Sequence, residues 1–185
     1  MPLLSTDMLV MKQVTQFMSN DFDILDASGQ VVGLGHTGGS MLSRMFLGPR
    51  RITVAELDGT VLLSVIDPPQ FLERDRMEIV DADGLPVAEL VKQLALVRTT
   101  LTVSMFEAGE LAVEGSWLST EFQVTRDGSP VARITRKLAS LEQFLGYGRY
   151  AIQFSPGQDE DIHRSVIGSA IALDLIRRKA RRRSN

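Results

Sequence analysis

One local pattern, written five times, constrains this chain more than any other feature. Its copies are Phe22-Asp-Ile-Leu-Asp-Ala-Ser-Gly29-Gln-Val-Val, Ile52-Thr-Val-Ala-Glu-Leu-Asp-Gly59-Thr-Val-Leu-Leu and Met77-Glu-Ile-Val-Asp-Ala-Asp-Gly84-Leu-Pro-Val-Ala. Leu101-Thr-Val-Ser-Met-Phe-Glu-Ala-Gly109-Glu-Leu-Ala-Val and Phe122-Gln-Val-Thr-Arg-Asp-Gly128-Ser-Pro-Val-Ala complete the set, the former without an Asp before its glycine. In each, apolar and polar residues alternate, a turn centred on glycine follows, and a second alternating run returns. Alternation gives a strand one buried and one wet face, and glycine supplies the positive φ of a tight hairpin. The glycines stand 30, 25, 25 and 19 residues apart, one hairpin per copy. With Leu9–Phe17 and Arg149–Phe154 the count reaches about twelve antiparallel strands. So many strands favour closure into a barrel or packing as two sheets.

One helix interrupts this β pattern. It is expected over about 159–176, with acids at its start (Asp159, Glu160, Asp161) and cations at its end. From Val166 to Leu173 every residue is apolar or small. A helix apolar all round is surrounded by protein or lipid, and the natural enclosure here is the barrel itself. The stretch Ile162–Ile176 is 15 residues long and contains His163, Arg164 and Asp174, which suits a bilayer-spanning helix poorly. The fold expected is therefore mainly β, a single barrel domain over 1–176 with a basic tail at 177–185.

Charge is divided unevenly along the chain. The total is −3, yet Arg177–Asn185 holds six of the 20 basic residues and no acid, leaving 14 basic against 23 acidic residues, or −9, in the rest. No cysteine is present, which excludes disulfides, thiol nucleophiles and thiolate metal sites. The first residues carry no basic run ahead of an apolar one, so a cleaved leader is not expected and a cytoplasmic location is. Arginine supplies 16 of the 20 cations, a bias compatible with a GC-rich bacterial source.

The C-terminal third resembles a known family. Phe122–Lys137, then Tyr150-Ala-Ile-Gln-Phe-Ser-Pro156, then Val166-Ile-Gly-Ser-Ala-Ile-Ala-Leu-Asp-Leu175 is similar to the end of phospholipid scramblases. Upstream, the repeated Asp-x-x-Gly hairpins are shared with LURP-one-related proteins and, more distantly, with tubby C-terminal domains. The resemblance implies a closed antiparallel barrel around a hydrophobic C-terminal helix. It also implies an acidic calcium-binding segment before the Ile-Gln-Phe strand, where this chain has Gly146 and Gly148. Calcium takes about 6–8 oxygen ligands, so calcium activation is not expected, nor any other cofactor or metal.

Other motifs yield little chemistry. Gly33-Leu-Gly-His-Thr-Gly38 fits the G-x-G-x-x-G fingerprint, but no βαβ unit stands behind it, and it reads as a glycine-rich inter-strand loop. His36 and His163 are the only histidines and are read as a loop residue and a structural residue. Paired carboxylates such as Asp81 and Asp83 fall in hairpin turns that already explain them. No catalytic constellation emerges.

Two segments are candidates for binding. Met41–Arg51 sets apolar residues beside Arg44, Arg50 and Arg51, either to meet a lipid interface and its phosphates or, more simply, to plug a barrel end. The run Arg177, Arg178, Lys179, Arg181, Arg182 and Arg183 suits an anionic membrane surface, or serves only as a solubilising helix end. The leading expectation is a non-enzymatic, scramblase-like barrel binding membrane lipid or a protein partner, peripheral on the inner membrane surface. A lipid-moving scramblase is one alternative, requiring the helix to leave the barrel. An intracellular ligand-binding or regulatory module, reaching nucleic acid through the tail, is the other and less favoured.

Overall fold

A computed structural model describes residues 3–13, 21–38, 50–68, 76–94, 99–105, 109–115, 120–136 and 148–183. After a 3-10 turn at Leu3–Ser5, the chain forms β1 (Met8–Gln13), β2 (Phe22–Leu25), β3 (Val31–Gly38), β4 (Arg50–Glu56), β5 (Val61–Asp67) and β6 (Arg76–Val80). There follow β7 (Pro86–Leu94), β8 (Thr99–Met105), β9 (Gly109–Gly115), β10 (Glu121–Arg126), β11 (Ser129–Thr135), β12 (Gly148–Phe154) and the helix α1 (Glu160–Arg183). Each strand pairs antiparallel with its sequence neighbours, and β1 closes on β12 to complete a twelve-stranded barrel. Closure leaves no sheet edge to associate with another chain.

The repeated pattern builds five hairpins at one end of the barrel, called here the turn end. Gly29, Gly59, Gly84, Gly109 and Gly128 all adopt positive φ. In three hairpins the glycine N–H closes a turn onto a carbonyl three residues back, at Asp26, Glu56 and Asp81. Asp127 (φ 49°) and Gly128 (φ 78°) make the two-residue turn of β10–β11. Asp26, Asp58 and Asp81 each accept backbone N–H bonds from within their own turns, as Asx side chains do.

These bonds make the turns sensitive to acid. The Ser28 hydroxyl and then neighbouring backbone N–H groups hold the Asp26 carboxyl below its ordinary pKa, and the Thr60 N–H and hydroxyl do the same for Asp58. A carboxyl lowered by folding stabilises the fold above its unfolded pKa, and the gain is lost as pH falls through the folded value. Thermal melts are therefore expected to fall on acidification below the usual carboxylate range, with a flatter profile in Asp26→Asn.

Four hairpins share a second device. The strand register shifts at Val32, Leu62, Val87 and Val131, each three residues past its turn glycine. Such a bulge sets two residues against one, so the pair Leu62-Leu63, like Val131-Ala132, faces inward and breaks the alternation. The bulge residues pack on the core. Pro86 and Pro130 sit at strand starts beside bulges, where a missing N–H is tolerated.

Gly33–Gly38 corrects the reading of a loop: the segment is strand, and His36 is an exposed strand residue rather than a loop residue. Its glycines make room. A Cβ on Gly35 would stand 2.1 Å from the Phe22 ring of its ladder partner, and one on Gly33 would stand 2.3 Å from Leu3 Cδ1. Phe122 lies over Gly115 in the same way, where an added Cβ would stand 2.3 Å from its ring. Rings laid on cross-strand glycines restore the packing that glycine forgoes. Gly84→Ala, with open space around it but φ +82°, is expected to cost about 1 kcal/mol of strain. Gly35→Ala, which forces the ring aside, is expected to cost about 1–3 kcal/mol. In chemical denaturation Phe22→Leu should recover part of the second loss and none of the first.

The barrel interior is filled by α1. Ile162, Val166, Ile167, Ile171, Leu173, Leu175 and Ile176 are all buried against strand residues such as Leu63, Val65, Ile79 and Leu90. Asp159 caps the helix by accepting the Ile162 N–H at 2.8 Å. Small residues permit close approach: a Cβ on Gly168 would fall 2.3 Å from Ile79 Cδ1. Among the described residues no helix is long and apolar enough to cross a membrane.

Candidate functional site

The direction of α1 decides what each barrel end presents. β12 finishes at the turn end with Phe154, and the helix starts six residues later, so it enters there and runs toward the opposite, exit end. His163 marks the entrance, buried and stacked on Phe154 at 4.0 Å, with Nδ1 2.8 Å from the Asp159 carbonyl oxygen. At the exit, the Arg177 guanidinium lies 5.1 Å from the centre of the Phe122 ring, itself laid on Gly115. Phe122 belongs to the first residues of β10, which fixes this stack at the exit end.

The proposed basic residues are sorted by this geometry. Residues 177–183, read as a tail, continue the helix without a break. Arg177 is buried, 7% exposed, and serves as the last rung of the core rather than as a surface cation. Arg178, Lys179, Arg181, Arg182 and Arg183 occupy the helical turns beyond it. Arg50 and Arg51 open β4 at the same exit end, exposed, opposite Asp67 and Ile66 in the ladder. Topology thus brings together two segments more than a hundred residues apart. Arg44 and most of Met41–Arg51 lie outside the described residues, as does Gly146, while Gly148 opens β12.

Acids gather at the other end. Asp7, Asp26, Glu56, Asp58, Asp81, Asp83, Glu110, Asp127, Asp159, Glu160 and Asp161 all stand in or beside the hairpin turns and the helix start. Two cations accompany them. Arg164 pairs with Asp161 (2.8 Å) and Glu160 (3.0 Å), and Arg126 approaches Asp159 at 4.0 Å. At the exit end, among the described residues, Glu121 pairs with Arg133 at 3.3 Å, Asp21 accepts the Thr37 N–H at 3.0 Å, Asp23 stands opposite Lys12 in the ladder, Asp67 is buried in the wall and Glu114 is exposed. Among the described residues the barrel is therefore polarised along its helix axis, acidic where the helix enters and predominantly basic where it leaves. Away from the helix, this long-range sorting is invisible in the linear sequence, where the acids look evenly spread.

A barrel closed in strict chain order around its own C-terminal helix agrees with the family comparison. The model of the LURP-one-related family matches residues 6–174. The chain belongs to the LURP-one-related family. Kinship with scramblases and tubby-like domains is consistent with that assignment. Comparison with the curated proteins and with the solved structures gave no match. The family match ends three residues before Arg177, so the basic turns of α1 lie beyond what this LURP-one-related chain shares with the family model. Among the described residues no cluster of His, Asp or Glu is arranged to hold a metal ion.

Proposed function

We propose that this LURP-one-related barrel binds anionic membrane surfaces through the basic turns of α1 at its exit end, supported by Arg50 and Arg51. The observation that carries the reading is the shared placement of these cations at one mouth. A helix buried in a barrel as far as Arg177 carries its final turns at a fixed place in the fold, so the backbone bearing these cations needs little further ordering on contact. Each cation near an anionic leaflet contributes about 1 kcal/mol, and arginine meets phosphate oxygens with paired donors. The attraction acts over a Debye length of about 8 Å at physiological salt, so binding is peripheral and salt-sensitive. The helix stays within the barrel throughout, which favours surface binding over lipid movement between leaflets.

Cosedimentation tests this directly. The full chain is expected to pellet with phosphatidylserine-containing vesicles, to ignore pure phosphatidylcholine vesicles, and to be released by high salt. Equal pelleting with both lipids, or with neither, contradicts the proposal.

A further inference from the structure

The two ends of the barrel offer a membrane rival points of attachment. The turn end carries the large exposed apolar side chains Leu57 (58% exposed) and Leu85 (62% exposed), and such tips commonly enter a lipid interface. The exit end carries the helix cations. Charge decides between them. Leu57 and Leu85 are flanked by Glu56, Asp58, Asp81 and Asp83, so inserting either leucine brings carboxylates against anionic headgroups. The exit end meets the same surface with the run 177–183, which contains no acid, and with Arg50 and Arg51; together these cations outnumber the described carboxylates there, Asp21, Asp23, Asp67, Glu114 and Glu121.

We infer that the barrel docks in one posture, exit end against the bilayer and axis upright, with the turn end held in solvent by its own acids. This rests on the membrane reading above. The 24 residues of α1 extend about 36 Å at a rise of ~1.5 Å per residue, several Debye lengths. In the upright posture the acidic rim is screened from the lipid charge. In the inverted posture it lies within one Debye length, and the cations are too far away to compensate. A barrel lying on its side places both ends near the surface and gains less than the upright one. The exposed leucines are thereby kept out of the lipid, despite being the most apolar points on the described surface.

The absence of cysteine makes the posture measurable, because a single introduced thiol is uniquely labelled. Ala82→Cys, at an exposed turn position between Asp81 and Asp83, and Asn185→Cys, beyond the helix end, are each labelled with a fluorophore. Vesicles of phosphatidylcholine and phosphatidylserine carrying a lipid quencher are then added. The label at 185 is expected to be quenched severalfold while the label at 82 keeps its brightness. Binding with both labels quenched alike, or with 82 quenched more, overturns the posture alone. Failure of both labelled chains to bind overturns the membrane reading beneath it.

Discussion

Ending the chain after Ser155 is expected to leave no folded barrel. Such a truncation removes Ile162, Val166, Ile167, Ile171, Leu173, Leu175 and Ile176, seven large aliphatic side chains buried in the interior. At about 1.5–3 kcal/mol each, their burial contributes on the order of 10–20 kcal/mol, as much as the whole net stability of a typical domain, about 5–15 kcal/mol. The strands would also keep their inward leucines and valines with nothing to meet, facing a wet lumen. A cooperative thermal transition in the truncated chain, followed by circular dichroism, would show that the barrel stands without its filling. A milder version uses Ile171→Asp, which buries a carboxylate among apolar residues and is expected to abolish the same transition.

Much of this architecture could be read from the sequence because its signals are local. A glycine in a turn needs positive φ whatever surrounds it, so five turn glycines announced five hairpins. The helix was legible because Val166–Leu173 has no polar face to turn toward water. What escaped depends on partners far along the chain. Gly33, Gly35 and Gly38 look like a flexible loop until Phe22 and Leu3 are seen to occupy the space over the first two. Arg177 looks like the first residue of a solvated tail until Phe122, on another strand, is placed beneath it. The bulges did leave a trace, since Val31-Val32, Val61-Leu62, Pro86-Val87 and Pro130-Val131 double the apolar residue where strict alternation calls for one. Reading those pairs as bulges places a second apolar residue toward the core after each of these four turns. The separation of charge between the two ends shows in the sequence only along the helix, from its acidic start to its cationic end, and the rest arises when antiparallel strands return the Asp-bearing turns to one side.

The burial of Arg177 also changes where the basic segment should be cut. A deletion beginning at Arg177 removes the guanidinium packed over Phe122 and disturbs the core along with the surface charge. Ending the chain after Arg177 removes Arg178, Lys179, Arg181, Arg182 and Arg183 while leaving the interior intact. Five cations at about 1 kcal/mol each amount to roughly three to four orders of magnitude in membrane affinity. Arg50 and Arg51 remain, and residual binding through them is expected. Substituting both with alanine in the full chain is expected to weaken binding by a smaller factor, since they are fewer and stand on the barrel rim.

The measurement that bears most directly on this account is the affinity of the chain ended after Arg177 for phosphatidylserine vesicles, set beside that of the full chain. Both proteins are first matched by melting temperature, so that any difference in binding belongs to the surface. The account predicts unchanged melting and a loss of at least a hundredfold in affinity, on the order of half the total charge contribution. Unchanged melting with unchanged affinity would contradict it, and would place any membrane contact elsewhere on the barrel.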